Sequence, residues 1–420
     1  MDIQDQANPL SDRSLPHNTA WAVAGNVCFA GGRFLIFVLL WKFLPSEQVG
    51  QAILALAIVT PLSFFLNMGL RLVIVTDTAN RFAPGFYLTT RLCSNLVLAL
   101  VLVSLCGIQY GTWDVEKLVI LLLAGAVRVV ESWADIYLAV LQKHERMKYV
   151  SVSQILKVSL VLMCAAVLAP LTNKAIWIFL GWAIAVLGVS LLYDRPRAAR
   201  FESVKLLWDK HISSQLIRLG FPLGVFITIT SFNERVCLYF IEHEHDLGDK
   251  YVAYFSTFLA FIAGLGAVQN GVNQAVLPRL SHYYQQSRKN FITLLGQVLL
   301  PSWALMGCFL LGVWWQSELI LRIVAKPEYT KYADVFVVVA AGGCLLLTGM
   351  ILGDAVVACR RFKSRMIAVA MGLIVNILIC WFYIPKYDLS AAAWAMVISS
   401  ALTTLTCGAF LWYALRKKAP

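Results

Sequence analysis

The residues of this chain that could do chemistry sit where they cost most. The stretch AGAVRVVESWADIYLAVLQKHERM, residues 124–147, is apolar enough for a bilayer yet carries Arg128, Glu131 and Asp135. Spaced i, i+3 and i+7, the three share one face of a helix. One charge at the centre of a membrane span costs about 2.5–3.5 kcal/mol, so three facing lipid would cost roughly 8–10 kcal/mol. That face must turn towards protein or water. Arg128 can pair with Glu131, but Asp135 needs another partner, and Lys157 on the next span is the candidate. The cluster is either an ion-pair lock among the first six helices or the polar wall of a cavity. In the second case, a carboxylate without a partner would hold a proton and could carry it during transport.

Two further cations are mid-span. Arg33 lies in GNVCFAGGRFLIFVLLWKFL, and Arg235 lies in TSFNERVCLYFIE beside Glu234 and Asn233. Neither is close enough to a helix end to snorkel easily. Arginine is the side chain best suited to phosphate oxygens, because its planar fork donates paired hydrogen bonds. Two such groups facing one cavity would suit a diphosphate. The competing reading is that Arg235 simply pairs with Glu234 or with a carboxylate of the first half. Asn270 and Asn273, with Gln269, make the end of the eighth span polar, and Asn376 is mid-span in the eleventh. Hydrogen bonding between helices accounts for most such residues. Arg91, Arg218 and Asp354 fall near span ends, where snorkelling or capping is expected.

The elements that must position these groups follow from the composition. The chain is 60% hydrophobic and 14% charged, against about half and a quarter in soluble domains. The excess comes in blocks of about 20 residues, the length that crosses a bilayer as a helix. The expected class is an all-α polytopic membrane protein; a β-barrel would show weaker, alternating segments of about ten residues. Twelve spans are expected, at 17–43, 50–70, 86–107, 116–142, 149–170, 174–193, 214–241, 251–277, 289–314, 332–358, 365–384 and 390–415. Loops and tails on the side of the termini carry 21 basic residues, and the opposite loops carry 8. The positive-inside bias then places both termini in the cytoplasm. The N-terminal stretch MDIQDQANPLSDRSLPH shows no signal-peptide pattern.

The longest linker divides the chain into an N-terminal six-helix bundle (1–200), a cytoplasmic linker (201–213) and a C-terminal six-helix bundle (214–420). Within the linker, Phe201, Val204, Leu207 and Trp208 are spaced for an interfacial amphipathic helix, or the segment is a plain basic linker. Shifting the first half by 202 residues places Arg33 on Arg235, Glu47 on Asp249 and Gly69 on Gly271. A parallel repeat of this kind puts a transporter's substrate site between its halves. Pro61, Pro222 and the AGGC at 341–344 are expected to interrupt their helices. The ten cysteines are scattered through apolar blocks without metal spacing and read as packing residues. No metal or cofactor is expected. The net charge of +12 fits anionic lipid and the positive-inside bias, not nucleic acid.

RVVESWADIYLAVLQKHERMKYVSVSQILK resembles the fourth and fifth spans of the Wzx-type oligosaccharide flippases. These belong to the multidrug/oligosaccharidyl-lipid/polysaccharide (MOP) exporter superfamily. FNER resembles that family's Asn-Asp-Arg-like signature, with Glu234 for the usual Asp, and AVLPRLS at 275–281 resembles the end of its eighth span. VNILICWFYIPKYDLSAAAWAMVISSALT resembles its closing pattern, with Asp388 and Ser390 where the family usually has glycines. The resemblance runs from about residue 18 to 415. It implies a MATE-like fold of twelve helices in two six-helix bundles around a central cavity. It also implies movement of a polyprenyl-diphosphate-linked oligosaccharide to the periplasmic leaflet of the bacterial inner membrane, for O-antigen or another surface polysaccharide. The implied partners are that lipid-linked oligosaccharide, bilayer lipids and other glycan-assembly membrane proteins. Arg33 and Arg235 would be the substrate-binding cations. Arg128, Glu131, Asp135, Lys157, Glu234, Asn270 and Asn273 would be cavity or ion-coupling groups. The rival transport reading is an ion-coupled multidrug or small-molecule exporter of the same superfamily. A membrane enzyme of glycan assembly would need a sizeable extramembrane loop with catalytic acids or histidines, and the loops here are short.

Overall fold

A computed structural model describes residues 15–76, 81–144, 146–244 and 248–416. Its first half contains α1 (Leu15–Phe43), α2 (Ser46–Asn67), the short α3 (Leu70–Thr76), α4 (Pro84–Gln109), α5 (Val115–Lys143) and α6 (Met147–Thr172). α7 (Ala175–Val189) then passes through a π-helical turn, Ser190–Asp194, into α8 (Arg195–Ala198). The second half contains α9 (Lys210–Asn233), α10 (Val236–Glu244), α11 (Gly248–Gln286), α12 (Arg288–Val324), α13 (Ala333–Ala358) and α14 (Phe362–Arg416).

Ten helical stretches among the described residues are long and apolar enough to cross a membrane. α5 falls outside that set because of its three mid-helix charges. α14 has 55 residues, about 80 Å if straight, and it crosses twice because the chain turns at Asp388. With α5 counted, α14 divided at Asp388 and α9 and α10 taken as one broken span, the described residues hold twelve stretches of membrane length, as expected. Only helices satisfy every backbone polar group in hydrocarbon without a neighbouring segment. Leu96, Leu100 and Val103 on α4 and Leu300, Leu311 and Trp315 on α12 stand exposed, as a lipid-facing surface requires.

The termini of the helices follow local chemistry. α2 ends on Met68 and Gly69, both left-handed, and α6 ends on Asn173 at φ 54°. Asp209 caps α9, accepting from the His211 and Ile212 N–H groups at 2.7 and 3.1 Å. At Asp388 the backbone takes φ 51° and ψ −138°, a region that only glycine enters freely. Replacing Asp388 with Gly is therefore expected to stabilise the protein by about 1 kcal/mol. A raised thermal midpoint in detergent checks this.

The structure decides between the two readings of the linker and corrects the three expected helix interruptions. Residues 203–209 form no regular secondary structure, so the segment is a plain basic linker and not an amphipathic helix. A side chain at Gly85 would clash with the Lys205 carbonyl and Leu207, because the linker lies directly on the start of α4. Nor do Pro61, Pro222 and the 341–344 stretch interrupt their helices. Gly342 and Gly343 instead let Val397 and Ile262 approach closely.

The halves share their largest core at one end and meet again at the other, where Gly220 and Gly224 of α9 pack on Met68 and Phe221 meets Phe65 edge to face. On the side opposite the termini, Trp41, Leu44 and Phe179 of the first half belong to one apolar cluster with Phe255, Phe258 and Phe336 of the second. Towards the termini the apolar packing divides into smaller clusters. Phe291, Ile351 and Leu411 lie in one cluster, and Ile74, Tyr87 and Ile136 in another, where Leu216 of α9 joins them.

Candidate functional site

A cavity of about 480 Å³ lies between the halves. Arg33, Thr60 and Arg128 line it from the first half, and Asn233, Glu234, Arg235, Asn270 and Asn376 from the second. Among its described lining residues are thus three guanidinium groups and one carboxylate. Arg33 and Arg235, placed together by the internal repeat, share this space. Arg235 is only loosely neutralised. Its Nη1 donates to the Ser231 carbonyl and hydroxyl, both at 2.9 Å, and reaches Glu234 at 3.4 Å.

α5 presents its charged face as its spacing demands, and its partners come from elsewhere. Glu131 accepts from Arg33 Nη2 at 2.9 Å and from Arg128 Nη1 at 2.7 Å. Arg128 Nη2 donates to Thr60 Oγ1 at 3.0 Å. No unpaired carboxylate therefore exists at Glu131. The expected partnership of Asp135 with Lys157 is not formed. Asp135 pairs with Arg71 at 2.7 Å, with Arg91 at 3.9 Å. Lys157 instead meets Asp194 at 2.6 Å, because the π turn at Ser190–Asp194 aims that carboxylate inward. Arg91, expected to snorkel, is 1% exposed. A second chamber of about 280 Å³, inside the first half, is lined by Arg33, Arg71, Arg128, Glu131, Asp135 and Lys157.

In the second half the span interrupted by FNER is broken at those residues. α9 stops at Asn233 and α10 starts at Val236. Asn376 repairs part of the break, donating to the Asn233 carbonyl and Oδ1, both at 3.2 Å. Asn273 does not line the cavity. It accepts from Gln269 at 2.8 Å and donates to Asp354 at 2.7 Å. Asp354 also pairs with Arg365, so it does not simply cap its helix. Thr60, Asn376, Arg71 and Asp194 had no distinguishing signal in the sequence beyond polarity within or beside an apolar block.

A clamp of charges closes the end opposite the termini. Lys117 bridges Glu242 at 2.8 Å and Asp249 at 2.9 Å. Lys250 pairs with Glu47 at 2.8 Å, Lys326 donates to the Leu44 carbonyl at 2.6 Å, and Ser46 bonds Glu328. The acidic segment 242–249 is thus partly neutralised by Lys117; its residues 245–247 lie outside the described residues. Gly50 is the closest point, where an added Cβ would lie 1.7 Å from the Asp249 carbonyl oxygen. Replacing Gly50 with Val is expected to hold this end apart. A cysteine introduced at Ala57, on the cavity wall, should then react with a water-soluble thiol reagent from that side. Unchanged protection would show that the clamp is not what seals it.

The comparisons with known proteins agree with this architecture. The chain is 22% identical to the capsular polysaccharide biosynthesis protein CapF of Staphylococcus aureus over 393 residues, 93% of this chain and 97% of that one. Its fold superposes on the lipid II flippase MurJ in an inward closed conformation, with a TM-score of 0.75 at 14% identity, over 94% of this chain and 87% of that one. A multidrug resistance MATE family transporter of the MOP superfamily matches at 0.67 when inward-facing, at 13% identity over 98% of each chain. An outward-facing multidrug resistance MATE family transporter of the MOP superfamily matches at 0.59, at 10% identity over 96% of this chain and 97% of that one. These matches show an all-α, multi-pass MOP fold. The model of the polysaccharide biosynthesis protein family matches residues 15–284, which include the charged α5 and the broken α9–α10 span, and the chain belongs to that family.

Proposed function

We propose that the protein is a flippase that moves a polyprenyl-diphosphate-linked oligosaccharide across the bacterial inner membrane by alternating access. One observation carries this reading. A single cavity between the halves is lined by Arg33 and Arg128 from one side and Arg235 from the other, against Glu234 on the wall and Glu131 behind it, which leaves one guanidinium in excess. Such a surplus of guanidinium groups in a low-dielectric site favours an anion that can accept paired hydrogen bonds. A diphosphate meets that description, while its lipid tail can stay in the bilayer.

The positive-inside bias supports cytoplasmic termini. The clamped end is then periplasmic, and the opposite end, where α9 packs on α2 and α3, faces the cytoplasm, from which the substrate enters. The better match to the inward-facing transporter than to the outward-facing one agrees with that orientation. The moving bodies of this cycle are residues 1–200 and 214–420, joined by 201–213. A cavity of about 480 Å³ is typical of a small-molecule site, so the halves must part to pass a glycan. Hand-over to other glycan-assembly membrane proteins follows on the far side.

The alternative, export of cationic drugs by an ion-coupled multidrug transporter, is disfavoured by the same excess of positive charge. The purified protein in liposomes should move a diphosphate-linked oligosaccharide between leaflets and should not concentrate cationic dyes. The reverse result would favour the drug exporter.

A further inference from the structure

The cations of the central cavity are unequally satisfied. Glu131 gives one carboxylate oxygen to Arg33 and the other to Arg128, at 2.9 and 2.7 Å. Both guanidinium groups line the central cavity as well as the chamber inside the first half, whereas Glu131 lines only that chamber. The carboxylate therefore meets the two cations from behind and leaves the cavity side to them. Arg128 keeps unused capacity, because its buried Nε has no hydrogen-bond partner. Arg33 is further held by the rings of Phe29 and Trp182, 4.8 and 5.7 Å from its guanidinium carbon. Across the cavity, the one carboxylate near Arg235 among the described residues is Glu234, at 3.4 Å and 44% exposed, beside the neutral Ser231.

We propose that Glu131 is a resident counter-anion, with which a diphosphate in the central cavity competes for Arg33 and Arg128. The inference rests on the reading of this cavity as a diphosphate site. In the empty cavity, two neighbouring guanidinium groups without an anion would repel each other and bear an uncompensated desolvation cost. One carboxylate that takes an N–H from each removes both problems and holds the forks in place. An entering diphosphate would gain those cations but would lie near the Glu131 charge, and like charges brought together in a poorly screened site repel each other. The resident anion thus keeps the substrate from binding too tightly to leave. Arg235, without an equivalent partner, would make first contact.

The test uses the full-length protein in nanodiscs, with farnesyl diphosphate as the probe and farnesol as the control lacking phosphate. Replacing Glu131 with Gln keeps the shape and removes the charge. E131Q is expected to bind farnesyl diphosphate about tenfold more tightly and to move diphosphate-linked oligosaccharide more slowly. Farnesol binding should not change. E131D keeps the charge but draws it back from Arg33, and its affinity should lie between the two. A folded E131Q that binds no tighter than the unsubstituted protein would overturn the inference and leave Glu131 as a structural tie. If E131Q does not fold, E131D decides, and affinity equal to or below that of the unsubstituted protein overturns it. Should the unsubstituted protein fail to prefer farnesyl diphosphate over farnesol, the diphosphate reading itself fails. Preferred binding that R235A abolishes but Glu131 variants leave unchanged would sink this inference alone.

Discussion

Replacing Arg235 with Ala is expected to weaken binding of a prenyl diphosphate by about 30-fold or more, with a matching loss of flipping at low substrate. Truncating one member of a desolvated, charge-assisted pair costs about 2–5 kcal/mol, and 1.4 kcal/mol is a factor of ten. Arg235 is the cleaner of the two tests. Its present partners are Ser231 and the distant Glu234, so its removal leaves no strongly paired carboxylate behind. Arg33→Ala should lose similar activity but also frees one oxygen of Glu131, which adds a stability cost. Lysine at either position keeps the charge and loses the planar fork, so an intermediate loss is expected. Flipping by the reconstituted protein, compared at equal protein amounts, is the measurement. Full activity in both the Ala and the Lys variants would remove the phosphate-holding role.

The largest expected effect on stability lies at Lys157 and Asp194. The pair is 2.6 Å long, and the Asp194 side chain is fully buried. The second oxygen of Asp194, Oδ1, is buried without a hydrogen-bond partner, so Lys157 is the main compensation for that charge. Removing one member of such a pair is expected to cost about 3–5 kcal/mol, whereas replacing both with apolar side chains of similar volume is close to neutral. K157M and D194L should each lower the thermal midpoint in detergent, and the double variant should recover most of the loss. Additive losses in the double variant would show that the two side chains do not act as a pair. The double variant also separates structure from coupling. If it is stable and still flips lipid, the pair locks α6 to the π turn and carries no ion.

The membrane architecture was legible in the residues because a bilayer permits few solutions. Apolar blocks of about 20 residues must become helices, and the spans expected from them recur with shifts of a few residues, except that α11 and α12 run on to Gln286 and Val324. The turn between the last two spans was legible too, at the Asp388 that stands where the resembling family has glycine. Proline misled for the same physical reason. A neighbouring helix or a side chain can supply what an intramembrane proline removes, so α2 and α9 run through Pro61 and Pro222 unbroken. The break that does occur, at Asn233 to Arg235, is held by Asn376, which is 143 residues away in sequence.

By itself, the order of residues determined the helices, their number and which face of each is charged, since 3.6 residues per turn and the cost of charge in lipid leave little choice. Spacing put Arg128, Glu131 and Asp135 on one side of α5 with no structure in hand. What that side meets was decided only by the rotation and packing of helices distant along the chain. Arg71 rather than Lys157 answers Asp135, Asp194 answers Lys157, and Lys117 finds Glu242 and Asp249 across the interface. An ion pair acts over a few ångströms in space, and neither the sign of a charge nor its place in a helical period says which opposite charge will arrive within that distance.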